Sequence, residues 1–171
     1  TMSVGQSSND PTSFSSQVMA SPRMPILILN QERLLRGSKS GQALLIDENR
    51  RKSEHLEEGQ RLDRELEAEE IHLTELRKEL PVDEFQALAV AFDAKVVRIR
   101  REHQERSEAL GKELDARRKT FFSAVVPIVA KIMTERGASL VFEQRNVLFT
   151  GPDVDITDEV IARMDKGGPL Q

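Results

Sequence analysis

The spacing of hydrophobic positions changes along the chain and separates a small body from a long helical insertion. Ile26-Leu27-Ile28-Leu29 is a short apolar run after Pro25, which predicts a strand buried on both faces. Asn30 is placed to cap a short helix over residues 31–36. Residues 1–24 are rich in Ser, Pro, Asn and Gln, so we expect a flexible tail there and another over residues 167–171.

A proline-free stretch over residues 42–80 carries leucines at heptad spacing, which predicts one helix of a coiled coil. Pro81 ends this helix because proline disfavours helical backbone in the residue before it. A second apolar stripe, at helical spacing, follows over residues 84–136. We therefore expect an antiparallel coiled-coil hairpin over residues 42–120, here called the arm, with its tip near residues 81–83.

The second helix becomes apolar on nearly every side towards its end, between Phe121 and Met133, which indicates burial from several directions. Gly137 is a helix stop, and the apolar runs at 140–142 and 147–149 predict a β-hairpin. A last short helix is expected over residues 156–166. The predicted fold class is α+β: a small β-sheet body, made of residues 25–41 and 121–166, with the arm inserted between the first strand and the C-terminal hairpin.

This body is small for a domain that folds alone, and it carries more apolar surface than one copy should bury. Part of that surface should therefore lie against other copies of the chain. The apolar pattern predicts assembly but does not specify the number of copies. The residues that we expect at this interface are Ile26, Leu27, Ile28, Leu29, Val125, Val126, Val129, Val141 and Leu148.

Composition and charge exclude several classes of function. The formal net charge of -4 argues against a nucleic-acid partner, since binding to phosphates requires a surplus of Lys and Arg. The chain has no Cys, which excludes disulfides, thiolate catalysis and Cys-ligated zinc. No run is long and apolar enough for a transmembrane helix, and no leader peptide opens the sequence as it stands.

The titratable residues of the arm predict neither a catalytic site nor a metal site. Folding the arm at residues 81–82 places His55 opposite Glu108 and His103 opposite Gln60, so no two histidines are expected to meet. Carboxylates on an exposed helix lack the burial that tunes an acid or a base. We therefore expect no enzymatic activity, no metal and no cofactor.

The two ends of the pattern resemble the Skp/OmpH family of periplasmic chaperones. The resemblance rests on Ile26-Leu27-Ile28-Leu29-Asn30, on Leu140-Val141-Phe142 and on Val154-Asp155-Ile156-Thr157-Asp158-Glu159-Val160. It implies a periplasmic homotrimer whose arms enclose unfolded outer-membrane β-barrel proteins without ATP, in transient contact with membrane or lipopolysaccharide. The chain departs from the better-known, strongly basic members in being acidic, and we carry over no lipopolysaccharide-binding residue.

The apolar side chains near the arm tip have two interpretations. They either pack between the two helices or offer weak, adaptable contacts to an unfolded client. The alternative function is a structural coiled-coil adaptor that binds one folded partner, which would need a better-filled seam than one interrupted by Lys52, His55 and Gly59. The predicted client-binding residues are Leu76, Leu80, Val82, Phe85, Leu88 and Phe92.

Overall fold

The computed structural model describes residues 25–167. Both terminal tails expected from the sequence, apart from Gly167, lie outside the described residues. The described part is mostly helical, with a small two-stranded sheet. In chain order its main elements are β1 (Ile26–Leu29), α1 (Gln31–Gly37), α2 (Lys39–Leu76), α3 (Val82–Arg136), β2 (Leu140–Glu143) and α4 (Thr157–Lys166).

The sheet consists of β1 and β2 in parallel, with Ile26 opposite Leu140 and Ile28 opposite Phe142. Parallel strands cannot be joined by a tight turn and need a long crossover connection. Here the crossover is the whole helical insertion, which lies between β1 and β2. The last helix is tied to the other edge of β1, because the backbone N–H of Ile156 donates to the Ile28 carbonyl at 2.9 Å.

The prediction of a C-terminal β-hairpin is wrong. Only its first half forms a strand, and Gln144–Asn146 makes a turn of 3-10 helix instead of a hairpin loop. The Asn30 side chain donates to the Gln144 side-chain oxygen at 2.6 Å, which anchors this turn to the start of α1. The chain then leads away from β2, so Val147, Leu148 and Phe149 add no strand.

The core of the body lies where α1, α4, β1 and the base of α3 meet. α4 is amphipathic: Val160 and Met164, one turn apart, are both buried. Asn30 caps α1 by accepting a hydrogen bond from the Arg33 N–H, as predicted, and Gly137 ends α3 with a positive φ of 63°. The buried apolar core comprises Leu27, Leu29, Leu34, Leu35, Phe121, Val125, Ile132, Ile156, Val160 and Met164.

The segment at residues 37–41, which has a glycine at each end, is a tight helix junction. Ser38 alone separates α1 from α2, is buried, and caps α2 by accepting a hydrogen bond from the Gly41 N–H. A Cβ at Gly41 would lie 2.0 Å from the Leu35 carbonyl oxygen. Glycine is needed here because the two helix ends approach too closely for any side chain.

Candidate functional site

The two long helices contact each other side by side and run antiparallel. Residues near the start of α2 pair with residues near the end of α3: Arg51 meets Glu113 at 2.7 Å, and Asp47 meets Arg117 at 2.5 Å. Towards the tip, Glu69 of α2 pairs with Lys95 of α3. Leu66 and Leu114 are the buried leucines of this contact region. The helices therefore form a two-stranded rod that is joined by ion pairs along its length and has few fully buried apolar residues.

The strongest of these ion pairs lies at the base of the rod. Glu48 is only 2% exposed, and both its carboxylate oxygens accept hydrogen bonds from the Arg118 guanidinium, each at 2.7 Å. These hydrogen bonds, together with the positive charges of Arg118 and Lys52, hold the pKa of Glu48 below its usual value although burial opposes them. A bidentate, partly desolvated pair of this kind fixes the relative position of the two helices at the base.

The predicted client-binding residues divide into two sets in the structure. Leu76, Leu80, Phe85 and Phe92 are half-buried. Val82, at 82% exposure, and Leu88 are exposed to solvent. Packing within the chain therefore accounts for four of these side chains, which are partly covered. Contact with another molecule is open to the other two, which are exposed.

A further exposed stripe on α3 was not predicted from the sequence. Val90 and Val97 are both more than half exposed. They lie seven residues apart, which places them on one side of the helix, and Val82, eight residues before Val90, stands at about 60 to 80° from both. The half-buried residues Phe85 and Phe92 lie on a different side of α3. The spacing of 82, 90 and 97 was a visible signal, but the neighbouring phenylalanine stripe is the more prominent one. We call Val82, Val90 and Val97 the valine stripe.

The residues predicted to join copies of the chain are also divided by the structure. Leu27, Ile28, Leu29 and Val125 are already buried within one chain, and Val129 and Val141 pack partly against the same core. Ile26, Val126 and Leu148 remain exposed. The apolar surface left for a partner is thus smaller than the predicted set.

Around Ile26 the exposed apolar residues form one patch beside the sheet. Ile26, Phe142 and Phe149 line a groove of about 480 Å³ together with Ile28, Val147 and Val154. Leu148 and Phe149 are 92% and 93% exposed, and Leu140, the partner of Ile26 across the sheet, is about half exposed. We call the exposed residues Ile26, Leu140, Phe142, Leu148 and Phe149 the sheet patch. Contiguous apolar surface of this kind marks an interaction site.

Two kinds of feature are absent from the described residues: a metal-binding cluster and a membrane-spanning helix. Residues 25–167 contain no group of three or more His, Asp or Glu side chains arranged to hold a metal ion. None of the described helices combines the length and apolarity needed to cross a bilayer.

The prediction that no two histidines meet is wrong. The rings of His55 and His103 stack face to face, with centroids 4.3 Å apart.

Known proteins similar to this chain include one solved structure and one protein family. A crystal structure of a proposed outer membrane chaperone (OmpH-like) from Caulobacter crescentus superposes with a TM-score of 0.77 at 19% sequence identity, covering 88% of this chain and 90% of that one. No curated protein matches the chain. The family model for outer membrane proteins of the OmpH-like type matches residues 25–164. The chain therefore belongs to the OmpH-like family.

Proposed function

We propose that the chain is an ATP-independent holding chaperone for unfolded outer-membrane β-barrel proteins, and that it acts in the periplasm as a homotrimer. The observation that carries this proposal is the valine stripe, because its three valines leave most of their apolar surface uncovered by their own chain. Membership of the OmpH-like family supports the chaperone role in general. The client class, the compartment and the number of copies come from the resemblance to Skp/OmpH chaperones.

The chemistry of the stripe suits an unfolded β-barrel client. Strands of such barrels alternate apolar and polar side chains, so an unfolded chain offers many short apolar segments and no single long one. Val82, Val90 and Val97 are separated by about two helical turns each, and so offer repeated small contacts. Each contact is weak, at about 0.8 kcal/mol per buried methylene, and repeated contacts let different segments exchange on the same surface.

The distribution of charge makes apolar contact the main source of affinity. The chain has a formal net charge of -4, which provides no general attraction for an acidic client. Many basic side chains of the rod are also engaged with acidic neighbours, as Arg61 is with Glu58 and Glu65. Burial of apolar surface does not depend on such charges.

Assembly through the body follows from the sheet patch. Within residues 25–167, β2 is paired with β1 on one side only, so its outer edge there carries unpaired backbone groups beside exposed Leu140 and Phe142. An edge strand flanked by apolar side chains can be covered by a different surface of the next copy, which is the kind of contact that closes a ring of three. Three copies joined in this way would hold their rods side by side around a shared cavity.

The valine stripe can be tested by an aggregation assay with matched variants. An unfolded β-barrel membrane protein is diluted from urea, without ATP, into increasing amounts of the chain, and its aggregation is followed by light scattering. The double variant V90S/V97S should need about tenfold more protein for the same protection. It loses two apolar contacts that together contribute about 1.4 kcal/mol to the affinity for the client.

The control is V90I/V97I, which changes the same positions and keeps them apolar. It should protect the client as well as the unchanged chain does. Equal protection by the serine and isoleucine variants would contradict a role for the valine stripe, whereas failure of all three proteins would contradict the holding function itself.

A further inference from the structure

The stacked rings of His55 and His103, here called the histidine stack, lie in the middle of the rod, where α2 and α3 run side by side with little buried apolar surface. His55 belongs to α2 and His103 to α3, and their rings are nearly parallel, at 11° to each other. The Nε2 atoms of both rings are buried and have no hydrogen-bond partner among residues 25–167. A buried polar atom without a partner costs free energy, so this arrangement needs a reason.

Gly59 shows how closely His103 approaches the α2 backbone. A Cβ added at Gly59 would lie 2.8 Å from the His103 Nε2 atom and 3.1 Å from its Cε1 atom. The imidazole of His103 therefore occupies the place that a side chain at residue 59 would take. Its buried Nε2 atom is therefore next to Gly59, which has no side chain that could accept a hydrogen bond.

This geometry accepts the neutral form of the pair and disfavours the charged form. A neutral imidazole can keep its proton on Nδ1 and leave Nε2 bare, whereas an imidazolium carries a proton on both nitrogens. Protonated His103 would thus direct an N–H against Gly59 with no acceptor. If both rings were protonated, two positive charges would also face each other at 4.3 Å with little water between them.

The charged neighbours on both helices include one acid. On α2 the charged residues one turn from His55 are Arg51, Lys52 and Glu58, and on α3 those one turn from His103 are Arg100 and Arg106. Glu58, the acid among them, is bonded to Arg61 at 2.7 Å and lies 4.0 Å from Arg106. Glu58 is also near enough to His103 for their charges to interact, so this one acid is shared among Arg61, Arg106 and His103.

We propose that the His55–His103 stack is a proton-sensitive joint of the rod: α2 and α3 are closed against each other at this point while both rings are neutral, and they separate locally when the rings are protonated. The opening is local because other contacts bracket the stack. Glu48–Arg118 and Arg51–Glu113 hold the helices on the body side, and Glu69–Lys95 holds them on the tip side. The joint does not depend on what the rod binds.

Hydrogen exchange of the full chain at pH 7.5 and pH 5.5 tests this proposal, in buffer with a chelator and with correction for intrinsic exchange rates. Imidazoles change charge in this interval. Glu58 does not, because its bonds to Arg61 hold its pKa below the usual value. We expect amide protection over residues 52–62 and 99–107 to fall about tenfold at pH 5.5, while protection in α4 is unchanged.

Two variants make the outcome specific. H55L/H103L keeps an apolar pair in the same place and should lose the pH response. H72Q removes a histidine that is largely exposed on α2 and should keep it. A fall in protection of equal size in H55L/H103L, or no fall in the unchanged chain, would overturn the joint. Protection that rises with added Zn²⁺ in the unchanged chain alone would also overturn it, since the pair would then be a metal site.

Discussion

Replacing Ile132 by alanine should lower the free energy of unfolding by about 2 to 5 kcal/mol. Ile132 is 0% exposed and belongs to the core formed by β1, α1, α3 and α4. Alanine removes three carbon atoms and leaves a cavity, because elements on several sides hold the surrounding side chains in place. Chemical denaturation at a fixed protein concentration measures the loss.

The matched control is I46A. Ile46 is the same residue type in a helix but is mostly exposed on α2, so its truncation should change the free energy of unfolding by about 0.5 kcal/mol or less. Equal losses in the two variants would contradict the placement of the core at the base of α3.

Replacing Arg118 by alanine should lower the free energy of unfolding by about 2 kcal/mol at neutral pH. The substitution leaves the buried Glu48 carboxylate without its two hydrogen bonds, and an unpaired buried charge costs more than the pair contributes. Arg118 itself is 44% exposed, so solvent reduces the effect below that of a fully buried pair. R50A, which breaks the ion pairs of Arg50 with Asp47 and Glu54 within α2, should leave the free energy of unfolding nearly unchanged because solvent screens exposed charges.

The effect of Arg118 should depend on pH with a defined sign. Its hydrogen bonds lower the pKa of Glu48 in the folded chain, from an ordinary value of 4.5. A lowered folded pKa contributes stability that is fully present above about pH 4.5 and is lost as the pH falls through the lower, folded value. The difference between the unchanged chain and R118A should therefore be constant near neutral pH and shrink in acid. A difference that grows in acid would contradict the role assigned to Glu48.

Local patterns predicted the helices well because their signals lie within a few residues. Asn30 and Gly137 mark helix ends through cap geometry, which depends on neighbouring backbone alone. The pairing of β1 with β2 could not be predicted in the same way, since the strands are more than a hundred residues apart and the hairpin was the simpler local solution. The hairpin does not form because a long-range hydrogen bond, from the Asn30 side chain to the Gln144 side chain, sets the direction of the turn.

The contacts within the rod show a similar limit. Folding the helices about residues 81–82 paired His55 with Glu108, and the ion pairs Arg51–Glu113 and Glu69–Lys95 lie within one residue of that register. His103 also reaches into the space that Gly59 leaves open, and so meets His55. A glycine one turn from a seam histidine was the available signal. The valine stripe was equally visible in the spacing, but only the structure separates exposed valines from the half-buried phenylalanines.

The mass of the complex with one unfolded client tests the central proposal most directly. An outer-membrane β-barrel protein is diluted from urea into the purified chain without ATP. The soluble species is separated by size-exclusion chromatography, and its molar mass is measured by light scattering. We expect one client with three copies of the chain, and three copies in the chain alone. A chain that runs as a stable monomer while the client precipitates as fast as it does by itself would contradict both the assembly and the holding function.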